Sequence, residues 1–195
     1  AGSTWVLSRP GHFKDLKLHP TNSSIIYAAN QGTLYKSIDN GVSFTPSMTG
    51  IPAGKTRLAI GVTPAAPDVV YVLAADFMIY GGLYKSTNSG MSFSTQSTTP
   101  NIMDYSHNGS GWNGQAWYDM CIAVDPTNED DVYVGGINIF KSSNSGSTWN
   151  VNAHWLGWDS DIIHADQHVL KYSPSGKLYV GNDGGIYYKG PHNGA

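Results

Sequence analysis

Glutamate is almost missing from this 195-residue chain: Glu129 stands alone, and Arg9 and Arg57 are the only arginines. Charged residues make up 13% of the sequence, about half the usual share. Helices draw heavily on Ala, Leu, Glu, Lys, Gln and Arg. A chain this poor in Glu and Arg, with 23 glycines and 10 prolines, is therefore expected to be all-β. No apolar run nears the ~18 residues of a membrane span. Basic blocks are also absent and the net charge is −3, which argues against nucleic acid as a partner. The single cysteine, Cys121, excludes an intrachain disulfide; in Met120-Cys121-Ile122-Ala123-Val124 it is expected to be a buried, inert thiol.

What is abundant is Ser (21), Asn (14), Gly and aromatics, the composition expected of an extracellular or cell-surface protein. The opening Ala1-Gly2-Ser3-Thr4-Trp5 is expected of a processed or excised piece.

Self-similarity is the strongest signal. Leu34-Tyr35-Lys36-Ser37-Ile38-Asp39-Asn40-Gly41-Val42-Ser43-Phe44 matches Leu83 to Phe93 and Ile139 to Trp149, with glycines 49 and 56 residues apart. A second signal recurs at His19-Pro20-Thr21-Asn22, Thr63-Pro64, Asp125-Pro126-Thr127-Asn128 and Ser173-Pro174-Ser175-Gly176, each followed by a short apolar strand. Each unit reads as four strands joined by turns rich in Pro, Gly and Asn. Units of this length and strand count predict a β-propeller of four-stranded antiparallel blades. The units fall at about 13–49, 56–99, 117–152 and 164–190, three complete and the fourth only begun.

The third-to-fourth-strand turn has the form Ser-x-Asp/Asn-x-Gly-x-Ser/Thr-Trp/Phe. In it Asp39, Asn88 and Asn144 are expected to accept backbone N–H bonds, and Gly41, Gly90 and Gly146 to take the strained position. Phe44, Phe93 and Trp149 should return into the sheet packing. This turn resembles the Asp-box, or bacterial neuraminidase repeat, of sialidases, sortilin-type receptors and some xyloglucan-cleaving glycosidases. With Tyr118-Asp119-Met120, His164-Ala165-Asp166-Gln167-His168 and Gly181-Asn182-Asp183-Gly184-Gly185, the chain is similar to large secreted Bacteroidota propeller proteins, many exported by type IX secretion. That resemblance implies further blades, supplied by the remainder of a longer polypeptide or by another chain.

Strand parity puts the long connections 95–118 and 150–163 on the face opposite these turns. They carry Trp112, Trp117, Trp155 and Trp158, four of the six tryptophans. These four, with Tyr118, His164 and His168, are expected to form one recognition surface for a neutral polysaccharide. His164, Asp166 and His168 alternate at period two, which would turn all three to one side of an inner strand. They form a weak candidate metal site against a hydrogen-bonded polar plug, so no metal or other cofactor is expected. A sialidase-type arginine triad cannot be built from two arginines. A glycosidase needs two carboxyls roughly 5–9.5 Å apart, for which Asp104, Asp119, Asp161 and Asp166 are the candidates, Asp119 and Asp166 foremost. Asp183 is expected to serve a tight Asx-type turn. The leading expectation is a glycan- or protein-binding propeller module, with a glycoside hydrolase fragment and an architectural subunit as the alternatives.

Overall fold

Short apolar stretches bounded by turn residues become strands, and consecutive strands pair antiparallel because the turns between them are tight. The computed structural model describes residues 4–189, and among them there is no helix. The first sheet runs β1 (Phe13–Leu18), β2 (Ile26–Asn30), β3 (Thr33–Ser37) and β4 (Thr45–Pro46) in that order. The second is β5 (Arg57–Val62), β6 (Val70–Asp76), β7 (Ile79–Ser86) and β8 (Ser94–Ser97). The third holds β9 (Cys121–Val124), β10 (Val132–Gly135), β11 (Ile139–Ser142) and β12 (Asn150–His154), with β13 (Asp161–Ile162) added parallel to β12. The fourth is the three-stranded β14 (Gln167–Tyr172), β15 (Leu178–Asn182) and β16 (Gly185–Lys189). The fold is a β-propeller of four blades.

Two of the expected loops are shorter than their sequence suggested. Residues 95–97 belong to β8 and residues 150–154 to β12. Thr95, Gln96 and Ser97 carry no apolar pattern, and in 150–154 only Val151 and Ala153 alternate with polar residues; backbone pairing to β7 and β11 makes both stretches strands.

The period of two explains how blades stack. Along β6, Val70, Val72 and Ala74 pack with Tyr27 and Leu34 of the first blade. Tyr71, Leu73 and Ala75 face the other way, onto Ile122, Val134, Phe140 and Trp149 of the third. A third apolar layer joins Ala123, Tyr133 and Ile139 to Leu170, Leu178 and Val180 of the fourth blade. The inner strands β1, β5, β9 and β14 line an axial funnel of about 730 Å³. The outer face of the fourth blade is uncovered: Val169, Tyr179, Ile186 and Tyr188 share one side of that sheet and are 52%, 40%, 82% and 65% exposed.

The three repeated turns share one hydrogen-bond set. Asp39 accepts from the Ser43 amide at 2.9 Å, Asn88 from Ser92 at 3.0 Å and Asn144 from Thr148 at 2.9 Å. Gly41, Gly90 and Gly146 stand at φ of 82°, 79° and 84°. Beneath each turn a buried serine donates to that Asp or Asn and accepts the glycine N–H; for Ser142 these distances are 2.9 and 2.8 Å. Phe93 and Trp149 are buried, whereas Phe44 is half-buried, because Phe44 has no preceding blade to enter. Ser142→Ala leaves the Asn144 and Gly146 amides without their acceptor, removes one of the two donors to Asn144 Oδ1, and is expected to cost about 1–3 kcal/mol. Urea unfolding of the variant measures it, and an unchanged midpoint would show that the serine is dispensable.

Candidate functional site

Starts of inner strands and second-to-third-strand turns meet on one face of a propeller. At the junction of the third and fourth blades this brings together three segments: 115–120 before β9, 164–168 at the start of β14, and the β15–β16 turn at 182–185. Arg57 of β5 anchors the first from below, donating to the carbonyls of Ala116 at 3.0 Å and Met120 at 3.3 Å.

Gln115 uses one amide nitrogen to hold two carboxyls. It donates to Asp119 at 3.1 Å and also to Asp166. A shared donor keeps the two carboxyls within about 6 Å, twice a hydrogen-bond length. Asp119 is fully buried and its Oδ1 has no partner. Burial, reinforced by the neighbouring Asp166 carboxyl and opposed by Gln115 and Arg57, raises the Asp119 pKa to about 7.

Asp183 is the third carboxyl. Tyr118 donates its hydroxyl to Asp183 at 3.0 Å, and His168 Nε2 meets the other carboxylate oxygen at 2.7 Å. The Tyr118 and His168 rings stand edge to face with centroids 4.9 Å apart. The bonds from His168 and then Tyr118 hold Asp183 below the usual carboxylate range. Trp117, 58% exposed, lies beside Tyr118 at 5.6 Å between centroids and gives the rim a flat apolar surface.

The period-two reading of residues 164–168 fails. β14 begins at Gln167, which is fully buried and tied to the third blade: its amide donates to Ile137 O at 3.2 Å and its backbone N–H to Gly136 O at 2.8 Å. That anchorage sets Asp166 at φ 68°, a left-handed conformation that non-glycine residues rarely adopt. His164 turns back to its neighbour's carbonyl, Ala165 O, at 3.1 Å, while Asp166 and His168 have different partners. Among the described residues no three His, Cys, Asp or Glu side chains are grouped to hold a metal ion. Asp183 also departs from its expected role, since Asn182 makes the turn bond to Gly184 N–H at 3.1 Å and frees the aspartate for Tyr118 and His168.

The tryptophans divide. Trp117 belongs to the carboxylate mouth, whereas Trp155 and Trp158 flank a separate cleft of about 340 Å³ with Tyr105, His107 and His154. His154, fully buried, stacks on Trp158 at 5.0 Å and is fixed by the Leu156 amide and Tyr105 carbonyl, each at 3.0 Å. Trp112 lines neither and is 91% exposed. The structure thus groups Tyr118, Asp119, Asp166, His168 and Trp117, sets the His164 ring against Gly184 in the neighbouring β15–β16 turn, adds Gln115 and Asp183, and leaves Trp112, Trp155 and Trp158 outside. The Gly-Asn-Asp-Gly-Gly run was the available signal for Asp183; Gln115 had none.

No protein-family model matches the sequence. A xyloglucanase of Hypocrea jecorina (strain QM6a) is 30% identical over 171 residues, which cover 85% of this chain and 18% of that enzyme. The GH74 enzyme of Niastella koreensis superposes with a TM-score of 0.64 at 20% identity, over 94% of this chain and 29% of that one. The GH74 xyloglucanase of Xanthomonas campestris does so at 0.64 and 18%, over 92% and 29%. The chain therefore spans under a third of each of these proteins, shares its propeller fold with the GH74 structures, and is similar in sequence to a xyloglucanase.

Proposed function

We propose that this chain is a four-blade segment of a secreted propeller glycoside hydrolase acting on a neutral β-glucan, with xyloglucan as the first candidate. The observation that carries this reading is the mouth between the third and fourth blades, where Asp119, Asp166 and Asp183 gather beside Tyr118, His168 and Trp117. Glycosidic cleavage needs one carboxyl to protonate the leaving oxygen and another to act as base or nucleophile. Asp183, exposed and held low, suits the ionised partner. Asp166, half-buried and aimed by Gln115, is the second carboxyl that substrate can reach. Asp119 is closed off from solvent and acts as a positioning residue through Gln115. Trp117 stacks on a sugar face. The similarity to a xyloglucanase supports the substrate class. Further blades, from the rest of the polypeptide, cover the exposed face of the fourth blade.

In the intact protein, Asp183→Asn and Asp166→Asn are each expected to lower kcat on xyloglucan by about 10²-fold or more while polysaccharide binding persists. Full activity in both variants would overturn the assignment of these carboxyls. Polysaccharide bound but not cleaved by the wild type would restore the binding-module reading, and neither binding nor cleavage on a neutral-glycan panel would leave an architectural role.

A further inference from the structure

The connection between β8 and β9 holds a buried carboxyl that the mouth does not use. Asp104 is fully buried and its Oδ1 has no hydrogen-bond partner. No lysine or arginine occurs between Lys85 and Lys141, so the chain around it supplies no neutralising side chain. A carboxyl placed this way is costly unless a positive group reaches it. It faces inward across its own loop: a Cβ on Gly111 would fall 2.1 Å from Oδ2 and 2.6 Å from Oδ1.

The residues that follow continue the pattern. Asp104, Ser106 and Asn108 put oxygen-bearing side chains at alternate positions, and Gly109 comes next at φ 67°. Calcium loops have this arrangement, with oxygen ligands at positions one, three and five and a glycine at six that makes the sharp turn. The oxygens are gathered, not splayed. The Ser106 hydroxyl lies against Asp104 Oδ2, which also accepts the Gly111 amide at 2.8 Å. Ser110 N–H reaches both Ser106 Oγ and Asn108 Oδ1 at 3.1 Å.

We propose that residues 104–110 form a calcium-binding loop, with Asp104, Ser106 and Asn108 as its side-chain ligands. An all-oxygen set with a single carboxylate suits a hard cation held weakly, at about 10⁻⁴–10⁻³ M, the range of extracellular modules. Calcium rather than magnesium fits, because magnesium demands a near-ideal octahedron and keeps most of its water. The ion would neutralise Asp104 and pin the loop that forms one wall of the Trp155–Trp158 cleft through Tyr105, Ser106 and His107.

Chelator-treated intact protein titrated with calcium chloride in a calorimeter tests this, alongside terbium luminescence sensitised by Trp158, whose ring stands 5.1 Å from that of His107. One saturable site per chain is expected, with a thermal midpoint that rises with calcium and much less with magnesium. Asn108→Ala removes an exposed ligand and should weaken binding about tenfold with an unchanged β-type circular dichroism spectrum. Asp104→Asn should abolish saturation; if that variant fails to fold, Asn108→Ala decides alone. Absence of saturable binding up to about 10 mM calcium, an equal response to magnesium, or affinity undiminished by Asn108→Ala would overturn the proposal.

Discussion

Trp149→Ala is expected to cost about 3–5 kcal/mol of folding stability, and Phe44→Ala only about 1 kcal/mol. Both occupy the same place in the repeated turn, but they differ in how far a neighbouring blade encloses them and in the hydrogen bond that only Trp149 makes. Trp149 is 8% exposed in the layer between the second and third blades, among Leu83, Val134 and Phe140. Its indole N–H donates to Ser97 Oγ at 3.0 Å, and Ser97 in turn bonds the Gly146 carbonyl at 2.6 Å and the Tyr80 hydroxyl at 2.8 Å. Truncation therefore opens a cavity between blades and removes one member of a buried polar chain. Phe44 is only half-buried, on the first blade, and its loss leaves a shallow dent. Denaturant unfolding of the two variants measures both costs. Equal small losses would mean that the blades are not held together through these turn aromatics.

Asp119→Asn is expected to stabilise the protein at pH 8 and to make little difference near pH 4. The folded-state pKa of Asp119 is raised from 3.8 to about 7, first by burial. The favourable contribution is thus complete below pH 4 and is lost as pH rises through 7, because the folded protein must then bury an ionised carboxyl. Asparagine keeps the shape and accepts the Gln115 bond without that charge. Each tenfold change in the protonation equilibrium is worth about 1.4 kcal/mol, and relaxation around a buried charge reduces the total, so a gain of about 2 kcal/mol at pH 8 is expected. Thermal unfolding of wild type and variant from pH 4 to 9 supplies the test. Parallel curves would show that Asp119 does not titrate in this window and that Gln115 is held by an ionised carboxylate throughout.

Local chemistry was legible and distant chemistry was not. The turn at Asp39, Asn88 and Asn144 closes on partners two to four residues away, so its serine, aspartate or asparagine, and glycine appear side by side in the sequence. The mouth is assembled across the chain. Gln115 reaches Asp166, 51 residues on, and Tyr118 reaches Asp183, 65 residues on. Nothing near Gln115 distinguishes it from a loop glutamine. Asp183 sits in a run whose glycines and asparagine suggest a turn, and the turn is there, but Asn182 makes it.

The alternation of His164, Asp166 and His168 shows why period alone misleads near a strand end. Side chains alternate only while the backbone stays extended, and Gln167 draws the chain into the third blade just where the pattern needs it straight. The tryptophans divide for a comparable reason. Trp155 and Trp158 follow β12, at the outer edge of the third blade, whereas Trp117 precedes β9, at its inner edge, so one sheet's width separates loops that share a face.

Residues within one repeat, with an apolar period of two, set the blade: its strands, their antiparallel order and the three turns. The tertiary structure alone decided which carboxyls meet, which of them is buried and raised, and which aromatic stands beside them. Those properties depend on how one blade's loops settle against the next, and that contact is made by inter-blade packing rather than by any local pattern.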